Sequence, residues 1–346
     1  MAKRATPYVP GLQLNEPNII KLNTNENPYP PSPNVMDAIK KEGSNHLQLY
    51  PSSTAADLKQ TIGEMYDLTA DEVFIGNGSD EVLAFSFMAF FEPEKKIRYP
   101  NITYSFYPVY ATLFNIPVET VKVNADFTLP TDAFFNSEGG VIFPNPNAPT
   151  SLYLPLDEIE AIIQNNPDNV VIIDEAYVDF AEGSAARLIH KYDNVLVIQT
   201  TSKSRSLAGL RVGYALGNAS LIQALIKIKD SFNSYTIDRL ALVGAQAAFE
   251  DRAYFDRVTN QIVNTREDVI QRLQNFGFSV LPSQTNFVFA THETYAAAEL
   301  YAALKEARIL VRHFDQPRIE NYLRITIGTE EEMNVFFEKL KDIVKV

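Results

Sequence analysis

Val170-Val171-Ile172-Ile173 runs directly into Asp174-Glu175-Ala176-Tyr177. A compact, β-branched apolar run of this kind reads as a strand buried on both faces, as in a parallel sheet. An aspartate closing such a run goes against strand propensity, and a buried carboxylate without a partner is costly. The strand end therefore asks for a chemical reason. The same arrangement recurs elsewhere in the chain. Val73-Phe74-Ile75 leads into Gly76-Asn77-Gly78-Ser79-Asp80-Glu81 and an apolar helix. Val141-Ile142-Phe143 leads into Pro144-Asn145-Pro146-Asn147-Ala148-Pro149-Thr150, and Val195-Leu196-Val197-Ile198 into Gln199-Thr200-Thr201-Ser202-Lys203. Between these runs, Leu156, Ile159, Ile162 and Ile163 repeat at helical spacing. The alternation predicts a three-layer α/β/α domain around a mainly parallel sheet.

In an open parallel sheet, ligands bind beyond the carboxyl ends of the strands. Four strand ends here present an acid, amides, a phenol and an amine. Taken singly, each has a plainer reading. Gly76-Asn77-Gly78-Ser79 has the composition of a turn with a helix cap, or of backbone N–H groups that hold a phosphate at a helix N-terminus. It is neither a Walker A loop nor a dinucleotide fingerprint, because the Lys-Ser/Thr pair and the third glycine are missing. Lys203 alone would read as a solvated surface residue. Arg211, eight positions on and after Leu207-Ala208-Gly209-Leu210, changes that context.

Outward from this centre, the chain through about Pro33 is rich in Pro and Asn and reads as an extended arm. Past about residue 250 the pattern changes. A helical stretch from near Asp251 to Asn275 precedes strand-like segments at Phe278–Leu281, Asn286–Phe289 and Tyr322–Ile327. Thr329 with Glu332 forms a capping box for a last helix, whose apolar face holds Met333, Phe336, Phe337, Leu340 and Ile343. The expected organisation is an arm (1–33), a large domain (34–250) and a smaller α+β domain (251–346).

Composition narrows the function classes. The 346 residues exceed what one core usually serves. At 46% apolar and 21% charged, the chain reads as an ordinary globular enzyme. No apolar stretch approaches the roughly 18 residues of a membrane span. The absence of cysteine removes thiolate catalysis and disulfides. Together with the lack of an apolar signal segment near Met1, it leads us to expect a cytoplasmic protein. A net charge of −13 argues against a nucleic-acid surface, so an anionic ligand needs a local cluster of cations. His46, His190, His292 and His313 lack metal-ligand spacing and read as structural or surface groups, and no metal is expected.

These residues resemble a known family. Ser202-Lys203-Ser204-Arg205-Ser206-Leu207-Ala208-Gly209-Leu210-Arg211-Val212-Gly213-Tyr214 looks like the cofactor-lysine segment of class I/II aminotransferases. Asn145-Pro146-Asn147-Ala148-Pro149-Thr150 and Asp174-Glu175-Ala176-Tyr177 resemble its two other signatures, in order. Ala148 and Ser151 depart from the usual pattern, which has Asn and Gly there. Pro7-Tyr8-Val9-Pro10-Gly11, Leu22 through Tyr29, Tyr50-Pro51 and Tyr322 through Thr329 are similar to histidinol-phosphate aminotransferases.

The resemblance implies the fold of type I transferases that depend on pyridoxal 5'-phosphate, a homodimer, and the following roles. Lys203 holds the cofactor covalently and moves a proton. Asp174 pairs with the pyridine nitrogen. Asn147 and Tyr177 bond the ring's phenolic oxygen, and Tyr104 stacks on the ring. Gly78, Ser79, Asp80, Thr200, Ser202 and Arg211 surround the phosphate, joined by Tyr50 from the partner subunit. Tyr8, Asn25, Tyr29, Arg312 and Arg324 face the substrates, histidinol phosphate and 2-oxoglutarate or glutamate. Rival readings on the same fold are an aromatic or broad-range aminotransferase and a threonine-phosphate decarboxylase. A non-catalytic ligand-sensing half of a transcription regulator would need a DNA-binding module, for which neither the residues before Thr6 nor the charge speaks.

Overall fold

A computed structural model describes residues 6–7, 11–12, 18–44 and 46–345. Its strands are β1 (Ile20–Lys21), β2 (Val73–Asn77), β3 (Ile97–Pro100), β4 (Val118–Val121), β5 (Val141–Pro144), β6 (Val171–Asp174), β7 (Val195–Thr200) and β8 (Val212–Gly217), then β9 (Phe278–Val280), β10 (Phe287–His292), β11 (Ile309–Leu310), β12 (Arg312–His313) and β13 (Leu323–Thr326). Its helices are α1 (Pro33–Gly43), α2 (Ala56–Tyr66), α3 (Gly78–Phe90), α4 (Phe106–Phe114), α5 (Leu156–Gln164), α6 (Ala219–Phe232), α7 (Arg239–Glu250), α8 (Arg252–Asn275), α9 (Ala297–Glu306) and α10 (Glu330–Val344).

The central sheet has seven strands in the order β2-β8-β7-β6-β5-β3-β4. All pairings are parallel except those of β8, which runs antiparallel to both β2 and β7. Two reversals restore the direction, so β2 points the same way as β5, β6 and β7. Their carboxyl ends share one edge, and the start of β8, at Arg211, lies on that edge too. The run Val212–Gly217, with two glycines, is a strand that the sequence reading did not single out.

Side-chain alternation sorts the strands between two cores. Val171, Ile173, Val195 and Val197 pack with residues of α2, α5 and α7 on one face. Ile172, Leu196 and Ile198 pack with α3, α4 and α6 on the other. These are the three expected layers.

A second sheet, β12-β13-β10-β9, is antiparallel, and α8, α9 and α10 close over a core of their own. Asp251 caps α8 and the Thr329–Glu332 capping box is present on α10. Val344 is buried at the end of α10 and Ile343 only half so. The arm is stitched to this part. Ile20 pairs with Ile309 and Lys21 with Leu310 in a parallel ladder, and Leu22 enters the second core.

Candidate active site

At the shared edge lies a cavity of about 320 Å³. The central sheet supplies Asp80, Asp174, Tyr177, Lys203 and Arg211 as walls, the second sheet Arg312 and Arg324, and the arm Asn23 through Glu26. Residues far apart in sequence therefore face one space.

Asp174 lies in this wall, 3% exposed. It follows Ile172 in alternation, on the α3–α4 face, where Tyr107 Oη donates to its Oδ2 at 3.0 Å and the Ala176 N–H donates to Oδ1 at 3.3 Å. Burial pushes its carboxyl up from 3.8 to about 6, against the pull of the Tyr107 and Ala176 hydrogen bonds, with Asp80 adding to the rise. No cation among the described residues pairs with it. Lys203 Nζ donates to Thr24 O at 3.2 Å and lies 5.8 Å from the Tyr177 ring centre. Burial, then the Arg324 charge, brings its amine down from 10.5 to about 8, while Glu26 and Asp80 pull the other way. Tyr177 Oη accepts from Asn25 Nδ2 at 2.9 Å, and its ring meets Phe287 edge-on.

The other end of the cavity is built for an anion. Helix α3 begins at Gly78, so its first-turn N–H groups lack helical acceptors and carry partial positive charge. Gly78 has φ +79, and a Cβ there would stand 2.3 Å from Arg211 Nη2. Gly213 lets β8 lie against the Ser79 backbone, for a Cβ on it would stand 2.3 Å from Ser79 N. Ser79, Thr200, Ser202 and Arg211 are all walls, and Thr200 Oγ1 donates to Ser202 Oγ at 2.9 Å. Asp80 holds Arg211 at 3.2 Å and accepts from Tyr104 Oη at 2.9 Å.

Opposite, Arg312 and Arg324 are register partners in the β12–β13 pair. Like charges placed so oppose each other, and both line the cavity. Arg324 Nη2 donates to Asn23 O at 2.9 Å. Asn25 is fixed by Thr326, whose Oγ1 donates to Asn25 Oδ1 at 2.9 Å.

Not every expected residue reaches this space. Tyr29 packs beside the second core, close to the acidic start of α10, and is no part of the wall. Asn147 sits behind Ala148, with Nδ2 donating to Thr150 Oγ1 at 2.7 Å, while its buried Oδ1 has no partner. Tyr50 is 78% exposed and stacks on Tyr235 at 4.7 Å. Tyr8 lies outside the described residues. His313 Nε2 meets Glu320 O at 2.7 Å. Where the family pattern has glycine, Ser151 takes φ +66, and its Oγ donates to Pro282 O at 3.1 Å.

Sequence reasoning missed Tyr107, whose bond to Asp174 spans 67 residues. It also missed Glu26. Burial would raise that carboxyl, but hydrogen bonds from Lys21 and Thr24 outweigh it and hold the carboxyl below its ordinary value. The acid within Asn25-Glu26-Asn27 was a visible signal.

The fold and the lysine–aspartate–arginine edge define a class, and the comparisons agree. Residues 17–340 match the aminotransferase class I and II family, and the chain belongs to it. It is 56% identical over 345 residues to histidinol-phosphate aminotransferase 1 of Oceanobacillus iheyensis, covering 100% of this chain and 97% of that one. It is 52% identical over 342 residues to the histidinol-phosphate aminotransferase of Clostridium acetobutylicum, covering 99% and 97%. Among solved structures, the histidinol-phosphate aminotransferase of Sinorhizobium meliloti in complex with pyridoxal-5'-phosphate superposes with a TM-score of 0.85 over 94% of this chain and 91% of that one, at 24% identity, a likeness of fold.

The residues present fit pyridoxal phosphate. A buried carboxyl without a cation among the described residues faces the cavity at Asp174, as a protonated pyridine nitrogen requires. The orphaned Asn147 Oδ1 leaves an amide able to meet a ring substituent. The space kept open by Gly78, with Ser79, Thr200, Ser202 and Arg211, suits a phosphate.

Proposed function

We propose that this chain transfers the amino group of L-histidinol phosphate to 2-oxoglutarate, yielding imidazole-acetol phosphate and L-glutamate. The observation that carries the substrate reading is the opposed pair Arg312 and Arg324 on the wall that also holds Lys203. One site must take a phosphate monoester and a dicarboxylate in turn, and planar guanidinium groups pair with either. The relatives at 56% and 52% identity bear the name of this reaction.

Pyridoxal phosphate, when bound, supplies the electron sink that acidifies the substrate Cα–H. The chain's own residues do the rest. Lys203 Nζ, with its pKa brought to about 8, is partly unprotonated near neutral pH and moves the proton at the substrate Cα. With the cofactor bound, Asp174 would hold the proton on the pyridine nitrogen. Tyr177 and Tyr104 would hold the ring, with Asn147 behind Ala148 offering its partnerless Oδ1 to a ring substituent, and Ser79, Asp80, Thr200, Ser202 and Arg211 would frame the phosphate. Asn25 orients Tyr177.

The decisive measurement is kcat/KM of each half-reaction by stopped-flow absorbance. Arg324→Ala is expected to lower it at least about a hundredfold for both histidinol phosphate and glutamate, the loss typical of a buried charge pair. A wild-type preference for phenylalanine or tyrosine overturns the substrate reading and favours the broad-range alternative. Loss of carbon dioxide from threonine phosphate favours the decarboxylase.

The working unit in this proposal is a homodimer, and each chain comprises an arm to about residue 33, a large domain to 250 and a small domain after it. Leu47 and Phe232 are 62% and 68% exposed, and the exposed Tyr50 and Tyr235 stack on each other; such exposed apolar groups suit contact with a second copy. Tyr50 of the partner subunit then meets the phosphate. Mixing Lys203→Ala with Tyr50→Ala subunits, each inactive alone, is expected to restore activity, since each hybrid holds one intact site. A monomeric, fully active protein in sedimentation overturns it.

A further inference from the structure

We infer that Phe314 is a positioning residue, the shared ring that holds Arg312 and Arg324 in place for the anionic ends of both substrates. The inference rests on the substrate reading above and deepens it.

Two arginines at paired register positions repel each other. The Asn23 carbonyl holds one end of Arg324, and a contact shared by both guanidiniums fixes the spacing between them that an anion needs. The Phe314 ring centre lies 5.5 Å from the Arg312 guanidinium carbon and 5.5 Å from that of Arg324. Both distances fall within cation–π range. Arg324 has a second ring, Phe287, at 5.3 Å; Phe314 is the ring the two cations share.

The ring is itself held. Phe314 meets Phe289 edge-on at 6.3 Å, and Phe289 stacks on Tyr322 at 4.7 Å. Beyond it the loop is tied to the central sheet's side. Arg318 Nη1 donates to Val123 O at 3.0 Å and Nη2 to Asn124 O at 2.5 Å, with its guanidinium 5.2 Å from the Phe127 ring centre. Arg318 and Phe127 both take positive φ, +76 and +69, conformations that non-glycine residues seldom adopt without support. Ile319 is fully buried between these residues. Phe314 is thus braced from both sheets, and through it so are the two arginines.

A residue acting in this way changes substrate binding and leaves the proton transfer at Lys203 alone. Uniform loss of binding appears in KM and spares kcat. In the holoenzyme, Phe314→Leu, which keeps an apolar side chain and removes the π face, is expected to raise KM for histidinol phosphate and for 2-oxoglutarate together, each about tenfold. Kcat stays within about twofold. The Kd of 2-oxoglutarate, by titration calorimetry, moves by the same factor. Phe314→Tyr, which keeps the face, stays near wild type. A Leu variant with unchanged KM values, or a Tyr variant that falls as far as Leu, overturns the inference. Should Phe314→Leu fold poorly, Arg318→Gln carries the test: it cuts the brace, and both KM values are expected to rise about threefold, whereas unchanged values overturn the role.

The two readings fail separately. Wild type that prefers phenylalanine, with Phe314→Leu still weakening 2-oxoglutarate, removes the substrate reading and keeps the platform. Wild type that prefers histidinol phosphate, with Phe314→Leu silent, does the reverse.

Discussion

Asp174 and Glu175 are adjacent buried carboxyls at the end of one strand, and alternation sends them to opposite faces of the sheet. Asp174 lies with Ile172 on the face that carries the cavity. Glu175 lies with Ile173 on the back, 1% exposed. There it accepts from Ser184 Oγ at 2.6 Å, the Ala185 N–H at 2.6 Å and Gln199 Nε2 at 2.8 Å. Gln199 Oε1 in turn accepts from Tyr66 and Tyr214, each at 2.6 Å. Glu175 is closed into a network of the protein's own groups. Asp174 has one phenol, one long backbone contact and an open side. Burial alone does not mark a working group: both carboxyls are buried and both are pushed up, to about 6 and about 7. What separates them is whether the protein has already used their hydrogen-bonding capacity.

The strongest way to break this contrast is Asp174→Asn. It is expected to keep the fold and lower kcat/KM by about 10²–10³, the scale of a lost electrostatic partner in the transition state. Near-normal turnover in stopped flow removes Asp174 from the chemistry and leaves the two faces alike.

Glu175→Gln is expected to behave in the opposite way. All three of its partners donate, so an amide nitrogen must confront one donor with another. The variant should lose about 1–3 kcal/mol of stability by denaturant unfolding. Its kcat, measured well below the melting temperature, should stay within a few-fold of wild type. A normally stable variant without turnover would place chemistry on the back face.

The smallest effect is a pH dependence. Both carboxyls have folded-state values raised above the ordinary 3.8 and 4.5, chiefly by burial. Between the ordinary and raised values, the folded state binds more protons than the unfolded one. The stability these groups contribute is therefore complete below about pH 4 and lost as pH rises through about 6 and 7. In cofactor-free protein, Asp174→Asn is expected to gain on its parent by a few degrees in Tm between pH 5 and pH 8. A parent and variant that keep a constant gap across that range would show that Asp174 is not desolvated as described.

Other parts of the molecule show the same division between local and assembled properties. Strand ends such as Ile173-Asp174 and Ile198–Lys203 were legible because a buried strand and the polar residue that ends it are neighbours in sequence. The capping box of α10 was legible for the same reason. Strand β8 was not, since Gly213 and Gly217 thin its apolar run, and its antiparallel placement depends on β2 and β7. Tyr29 sits beside a motif that reaches the cavity, yet a single turn of chain carries it to the second core.

The amino-acid sequence alone determined the three-layer class, the edge on which the chemistry lies and the residue types gathered there, because short-range pattern encodes all three. Tertiary structure alone decided which face each carboxyl takes, that Tyr107 supports Asp174, and that one ring is shared by Arg312 and Arg324. The Tyr107–Asp174 bond spans 67 residues, and Phe314 meets both arginines only because β12 and β13 pair with Arg312 opposite Arg324. Their geometry follows from how the sheets and helices pack, which no local run of residues specifies.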